Sequence, residues 1–192
     1  MNPGMFEIPT GPKPAVEIAQ GVTCLFSADV TGVAFADFQL DPAYDEFKLS
    51  LIGVNLSTPS VLGVQVSTNG GVSWLFSYQY VLLQSTPDPS PTVTPEGSTS
   101  IIRTPLHRTS QSMGASSNYE GSIGIFGSSL PSAPTSFTIH SSYGPSSGGP
   151  RNLVIGQGYA DSTAVINAIR IAPAVGGLAS GLVKLYGFRK SP

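Results

Sequence analysis

Glycine and proline cut this chain into short pieces. Its 192 residues include 22 glycines and 17 prolines. Each proline fixes φ and removes a backbone donor, so long helices have little room. Between the breaks lie brief runs of Val, Ile, Leu and aromatic residues, many alternating with period two, which is the signature of a half-buried strand. In the run that begins at Glu46, Phe47, Leu49 and Leu51 fall on one face, with Lys48 and Ser50 on the other. In the run that begins at Val61, Leu62, Val64 and Val66 oppose Gly63, Gln65 and Ser67. Ser67-Thr68-Asn69-Gly70-Gly71 then offers the positive-φ residues of a tight hairpin turn. A returning strand over 72–80 would put Val72, Trp74, Phe76, Tyr78 and Tyr80 on one face, with Trp74 buried.

Two further strong segments lie near the end of the chain. Val165, Asn167, Ile169 and Ile171 alternate with Ile166, Ala168 and Arg170 as far as Pro173, and 182–188 reads as a final strand. Weaker strands are expected at 22–27, 33–38, 101–103, 122–126, 136–140 and 152–156. Residues 162–168 could instead hold one helical turn capped by Ser162 or Thr163. About ten short strands with turn chemistry between them predict an all-β fold, an antiparallel β-sandwich of jelly-roll type. The expected organisation is one domain over 16–192, preceded by an extended docking arm over 1–15 whose apolar anchors are Met5, Phe6 and Ile8. Long Pro/Gly/Ser-rich loops are expected at 84–100, 104–118 and 141–150; the four prolines of the first forbid a central strand there.

Composition narrows the function. Charged residues are only 10%, against roughly 25% in an ordinary soluble domain. Ser, Thr, Gln, Asn and Gly must therefore fill the surface, which tolerates close packing against other subunits. The net charge is −2 and the nine basic residues are scattered, so no nucleic-acid footprint is expected. No run of 18 apolar residues exists, and no membrane insertion is expected. The first residues lack the basic-then-apolar pattern of a signal peptide, which implies synthesis in a cytoplasm without export by that route. The lone Cys24 excludes an intramolecular disulfide and is expected as a small buried hydrophobe.

The search for chemistry yields little. Glu120-Gly121-Ser122-Ile123-Gly124 has the wrong spacing for a hydrolase elbow. His107 and His140 are isolated, and with Cys24 they lack zinc-ligand spacing. Gly156-Gln157-Gly158 has no third glycine and reads as a turn or bulge rather than a nucleotide loop. Nothing brings Asp29, Asp37 or Glu120 together as a glycosidase pair. The expectation is a protein without enzyme activity or cofactor. Two sites stay open. Asp41, Asp45 and Glu46 around Pro42 offer oxygen ligands for Ca²⁺, against the plainer reading as solvated turn acids. Tyr119, Tyr143 and Tyr159, in or beside loops, could form an exposed platform for a glycan or a protein partner.

The C-terminal pattern carries a resemblance. Ile166-Asn167-Ala168-Ile169-Arg170-Ile171-Ala172-Pro173, followed by Leu178-Ala179-Ser180-Gly181-Leu182-Val183-Lys184-Leu185-Tyr186-Gly187-Phe188, resembles the end of many tailed-bacteriophage virion proteins. Those read as "I-x-x-I-R-hydrophobic", a short loop, then "SG-x-hydrophobic-x-LYG". Residues 44–74, with YDEFKLSLIGV and VQVSTNGGVSWL, are similar to the earlier part of the same proteins, so the likeness covers about half the chain. It implies a non-enzymatic structural component of head, tail or baseplate: a short fibre, a spike, a tail accessory or a capsid decoration protein. Its partners would be other virion proteins and itself, with a homotrimer as the expected assembly. In the closing motif Val183 and Leu185 would point inward, and Gly187 would leave space for a neighbouring backbone. Apolar residues at mixed-face positions, Leu75, Val81 and Leu83, point to subunit contacts. The alternative is a host-surface, carbohydrate-binding module with its site on the long loops.

Overall fold

The computed structural model describes residues 16–17, 21–75, 77–85, 92–96, 102–103, 113–148 and 150–189. Among these residues there are thirteen strands and no helix. In chain order they are β1 (Val16–Glu17), β2 (Val22–Asp29), β3 (Ala36–Gln39), β4 (Glu46–Leu56), β5 (Leu62–Ser67), β6 (Tyr78–Ser85) and β7 (Thr92–Glu96). Then follow β8 (Ile102–Arg103), β9 (Tyr119–Phe126), β10 (Ser136–Tyr143), β11 (Asn152–Ala160), β12 (Ala168–Pro173) and β13 (Leu178–Phe188). Every pairing between them is antiparallel.

Their order is that of a jelly roll with two insertions. The small sheet runs β3-β12-β5-β8, and opposite it the large sheet contains β2-β13-β4-β9. Those eight strands, taken along the chain, wind between two four-stranded layers as a jelly roll requires. The pair β6-β7 is inserted between β5 and β8, and β10-β11 between β9 and β12. Both insertions join beyond β9, so the large sheet reads β1-β2-β13-β4-β9-β10-β11-β6-β7. The strands β10, β11, β6 and β7 thus form a wing on the jelly roll.

Alternation decides the core. Leu49, Leu51, Ile123, Ile125, Val183 and Leu185 of the large sheet face Phe38, Val64, Val66, Ile169 and Ile171 of the small one, all at most 2% exposed. The wing's inner face, with Tyr78, Tyr80, Leu82, Phe137, Ile139 and Val154, joins the same cluster. Met113 and Ile166 from loops complete it. The Tyr78 hydroxyl crosses between the layers, accepting the N–H of Val66 at 3.0 Å. In the closing motif Val183 and Leu185 are fully buried, and Gly181 sits at a break in the β13–β4 register. A Cβ at Gly187 would strike the Tyr44 ring at 2.6 Å, so the space it leaves is filled by a side chain, not a backbone.

Several expectations are corrected. There is no tight hairpin at Asn69-Gly70, and residues 72–75 are not a strand. The reason is that β5 already has both edges paired, to β12 and to β8. A wider loop forms, held by the Ser67 hydroxyl, which accepts from the N–H groups of Asn69 and Gly71, and by Asn69 Oδ1, which accepts from Ser73. The side chain of Asn167 braces it by accepting from Gly70 N–H and donating to the Thr68 carbonyl. The chain then crosses into the other sheet as β6. Val72 is 86% exposed and Trp74 is half-buried rather than buried. Gly156-Gln157-Gly158 is neither turn nor bulge but mid-strand in β11, in continuous register with β10 and β6. Residues 162–168 hold no helical turn. Part of the expected loop 84–100 is strand: β6 runs to Ser85, and β7 is the sheet's edge strand, where Pro95 is tolerated. Cys24 is half-buried on β2. The arm residues Met5, Phe6 and Ile8 lie outside the described residues, as does His107.

Candidate functional site

The registers of the large sheet fix which side chains share its outer face. One row across it contains Phe188, Glu46, Phe126, Ser136, Tyr159 and Gln79, and the next contains Tyr186, Lys48, Gly124, Thr138, Gln157 and Val81. A third row runs Lys184, Ser50, Ser122, His140, Ile155 and Leu83, and Leu153 follows beside Ser142. The two halves of this face differ in chemistry. Over the jelly roll it carries Glu46, Lys48, Glu120 and Lys184. Among the described strand residues of β10, β11 and β6 it carries no Asp, Glu, Lys or Arg, only hydroxyls, amides, His140 and a block of apolar side chains; Arg151, just before β11, reaches its edge at the Ser142 hydroxyl. That block is Val81, Leu83, Leu153 and Ile155, each between 37% and 49% exposed. Leu83 stands directly opposite Ile155, so the four form one contiguous patch.

Where the halves meet lies a shallow groove of about 320 Å³, lined by Glu46, Lys48, Ser122, Phe126, Thr138 and Phe188. Its floor is Gly124, where a Cβ would come within 2.9 Å of the Phe126 ring. The bare glycine therefore lets that ring lie along the sheet. Glycine covered by a neighbouring aromatic ring is a known way to keep a strand paired.

A second cluster lies on the outer face of the small sheet. Arg170 makes a two-pronged pair with Asp37, both contacts at 2.7 Å. Its guanidinium sits 3.8 Å from the Phe35 ring centroid and 4.4 Å from that of Trp74. The cluster fastens the loop segment that carries Trp74 to β3 and β12. Asp37→Ala should lower folding stability by about 1 kcal/mol, the upper end for an exposed pair, because the cation is pre-organised by two rings. Urea denaturation checks this, and an unchanged midpoint would mean that the rings alone hold the arginine.

The tyrosine platform is not assembled. Tyr119 and Tyr143 are fully buried, because they stand in phase with the inward residues of β9 and β10. The Tyr143 hydroxyl pairs with the Asn152 side chain, and burial pushes its pKa up to about 12. Only Tyr159 is exposed, at 36%, and it belongs to the outer face of β11. Around Pro42, Asp41 accepts the N–H of Ala43 at 2.9 Å and Asp45 accepts the hydroxyl of Ser129 at 2.6 Å. Among the described residues no three His, Cys, Asp or Glu side chains come together as a metal site. His140 is exposed in the middle of β10.

The outer-face patch was half visible in the sequence through Val81 and Leu83; its other half, Leu153 and Ile155, was missed. The signal exists: Val81-Leu82-Leu83 and Leu153-Val154-Ile155 are apolar at both parities, which marks a strand with two apolar faces. Comparison with protein-family models, with curated proteins and with solved structures gives no match.

Proposed function

We propose that this chain is a non-enzymatic structural protein of a tailed-bacteriophage particle, made in the host cytoplasm and acting by assembly and surface presentation. The observation that carries the reading is the charge-free outer face of β10, β11 and β6, with its apolar block. Interface cores are depleted of charged residues in this way, and a contiguous apolar patch rimmed by polar groups marks a contact surface. The closing motif 166–188 supports the particle assignment through its resemblance to virion proteins. The partners are other virion proteins and further copies of the chain.

Mass spectrometry of purified particles tests the reading. The chain is expected there at fixed stoichiometry, and a Leu83→Asp/Ile155→Asp variant should fold yet be incorporated at least about tenfold less, since a lost hot-spot contact of 1.4 kcal/mol or more is worth that factor. A particle fraction without the wild-type chain would overturn it.

A second reading, host-surface glycan binding, is favoured by the groove at Gly124. There two aromatic side chains, Phe126 and Phe188, stand beside Glu46, Lys48 and the hydroxyls of Ser122 and Thr138. It moves the glycan site from the long loops to the sheet. Phe188→Ala, which lies outside the face of β10, β11 and β6, should then abolish binding to cells while leaving incorporation into particles intact.

A further inference from the structure

We infer that the outer face of the wing pairs with the same face of a second copy, about a two-fold axis. This rests on the assembly reading above and names the partner of that surface.

Charge is the first argument. A sheet face that carries charges of one sign repels its own copy, whereas the described outer positions of β10, β11 and β6 carry none. The block of Val81, Leu83, Leu153 and Ile155 can therefore meet itself with hydroxyls, amides and His140 around it, and with charge only at the Ser142 end, where Arg151, bonded to the Ser142 hydroxyl, and Glu120 are of opposite sign. Two such faces stack about 10 Å apart with their strands some 30° from parallel, as in any aligned sandwich.

Symmetry is the second argument. A trimer needs two different surfaces that fit each other, while a two-fold contact uses one surface twice. Among the described residues the other exposed apolar side chains are Val72, Leu130, Val165 and Val175 in loops, Phe26 on β2 and Ile52 on β4, and they make no second block of four. One self-complementary face yields a dimer, not the trimer that the resemblance suggests.

Area sets the strength. Including β9, which adds Ser122, Gly124 and Phe126 and, at the Ser142 end, Glu120, the face spans four strands about 4.8 Å apart and about eight residues of 3.4 Å rise, or about 500 Å² of plane per copy. The pair buries about 1,000 Å², the lower bound for a specific interface. Association should therefore be reversible and concentration-dependent.

Sedimentation velocity of the purified full chain over a hundredfold range of concentration tests the pairing. A monomer–dimer equilibrium is expected for the wild type. Ile155→Asp and, separately, Gln157→Lys should each raise the dimer dissociation constant at least about tenfold, with unchanged circular dichroism. If one variant fails to fold, the other decides. A wild type that stays monomeric, forms a trimer, or dimerises unaffected by the folded variants overturns the pairing. A dimer of a chain that is missing from particles overturns the virion reading alone, and a monomer found in particles overturns the pairing alone.

Discussion

Gly158→Ala should remove about 3 kcal/mol of folding stability, at the upper end of the cost of overpacking a sheet. In the middle of β11 the added Cβ would lie 2.5 Å from the Gln79 carbonyl oxygen, 2.5 Å from Tyr80 Cβ and 2.9 Å from Tyr80 Cα. Two of these atoms are backbone and the third is fixed to it, so no rotamer change relieves the clash. The β11–β6 pairing has to open, and with it the burial of Tyr80 and Leu82, which are at most 3% exposed. Gly32→Ala is the control: its Cβ meets nothing within 4 Å, and only the backbone strain of its φ of +75° remains, about 1 kcal/mol. Urea denaturation of the two variants gives the comparison. Equal losses would mean that β11 and β6 are not packed as closely as described.

Alkaline pH should unfold the protein through two tyrosines. Burial pushes Tyr78 and Tyr143 up from 10.0 to about 12, only partly offset by their hydrogen bonds to Val66 and Asn152. The protonated phenol is the neutral form, and the folded state holds that proton more tightly than the unfolded one. Below pH 10 both states are protonated and the stability is fully present. As pH rises from 10 to about 12 the unfolded chain releases protons that the native state retains, so stability falls. A rise from 10.0 to about 12 corresponds to roughly 3 kcal/mol per tyrosine, about 5 kcal/mol for the pair. That is comparable to the whole stability of many domains. Tyr78→Phe should roughly halve the alkaline loss. At neutral pH it should cost about 1–3 kcal/mol, because the Val66 N–H then lacks its acceptor in the core. Denaturation curves below pH 10 and near pH 12 measure both effects; stability that is flat across that window would contradict the burial of these hydroxyls.

The jelly roll was legible because its determinants are local. Phe47, Leu49 and Leu51, or Val183 and Leu185, announce a strand and its inward face without reference to any other part of the chain. What the alternation does not announce is which strands pair. The Asn69-Gly70 turn failed as a hairpin because β12 and β8, distant in sequence, already occupy both edges of β5. The burial of two tyrosines is legible in the strand phase. Carrying the phase of Ile123 and Ile125 back to Tyr119, and that of Phe137 and Ile139 forward to Tyr143, puts both rings in the core. The Arg170 cluster was not legible, since it joins Phe35, Asp37, Trp74 and Arg170 from β3, a loop and β12. The two halves of the apolar patch are likewise some 70 residues apart along the chain, and only the β11–β6 register makes them one surface.

Hydroxyl-radical footprinting of Leu83, Leu153 and Ile155, in the isolated chain at low concentration and in purified particles, tests the role of that surface most directly. The account predicts strong labelling of all three in the dilute chain and their protection in particles, while Val72 and Val175 label alike in both. Equal labelling of the three residues in the two states would show that the outer face of the wing stays open to water after assembly, and the account would be wrong.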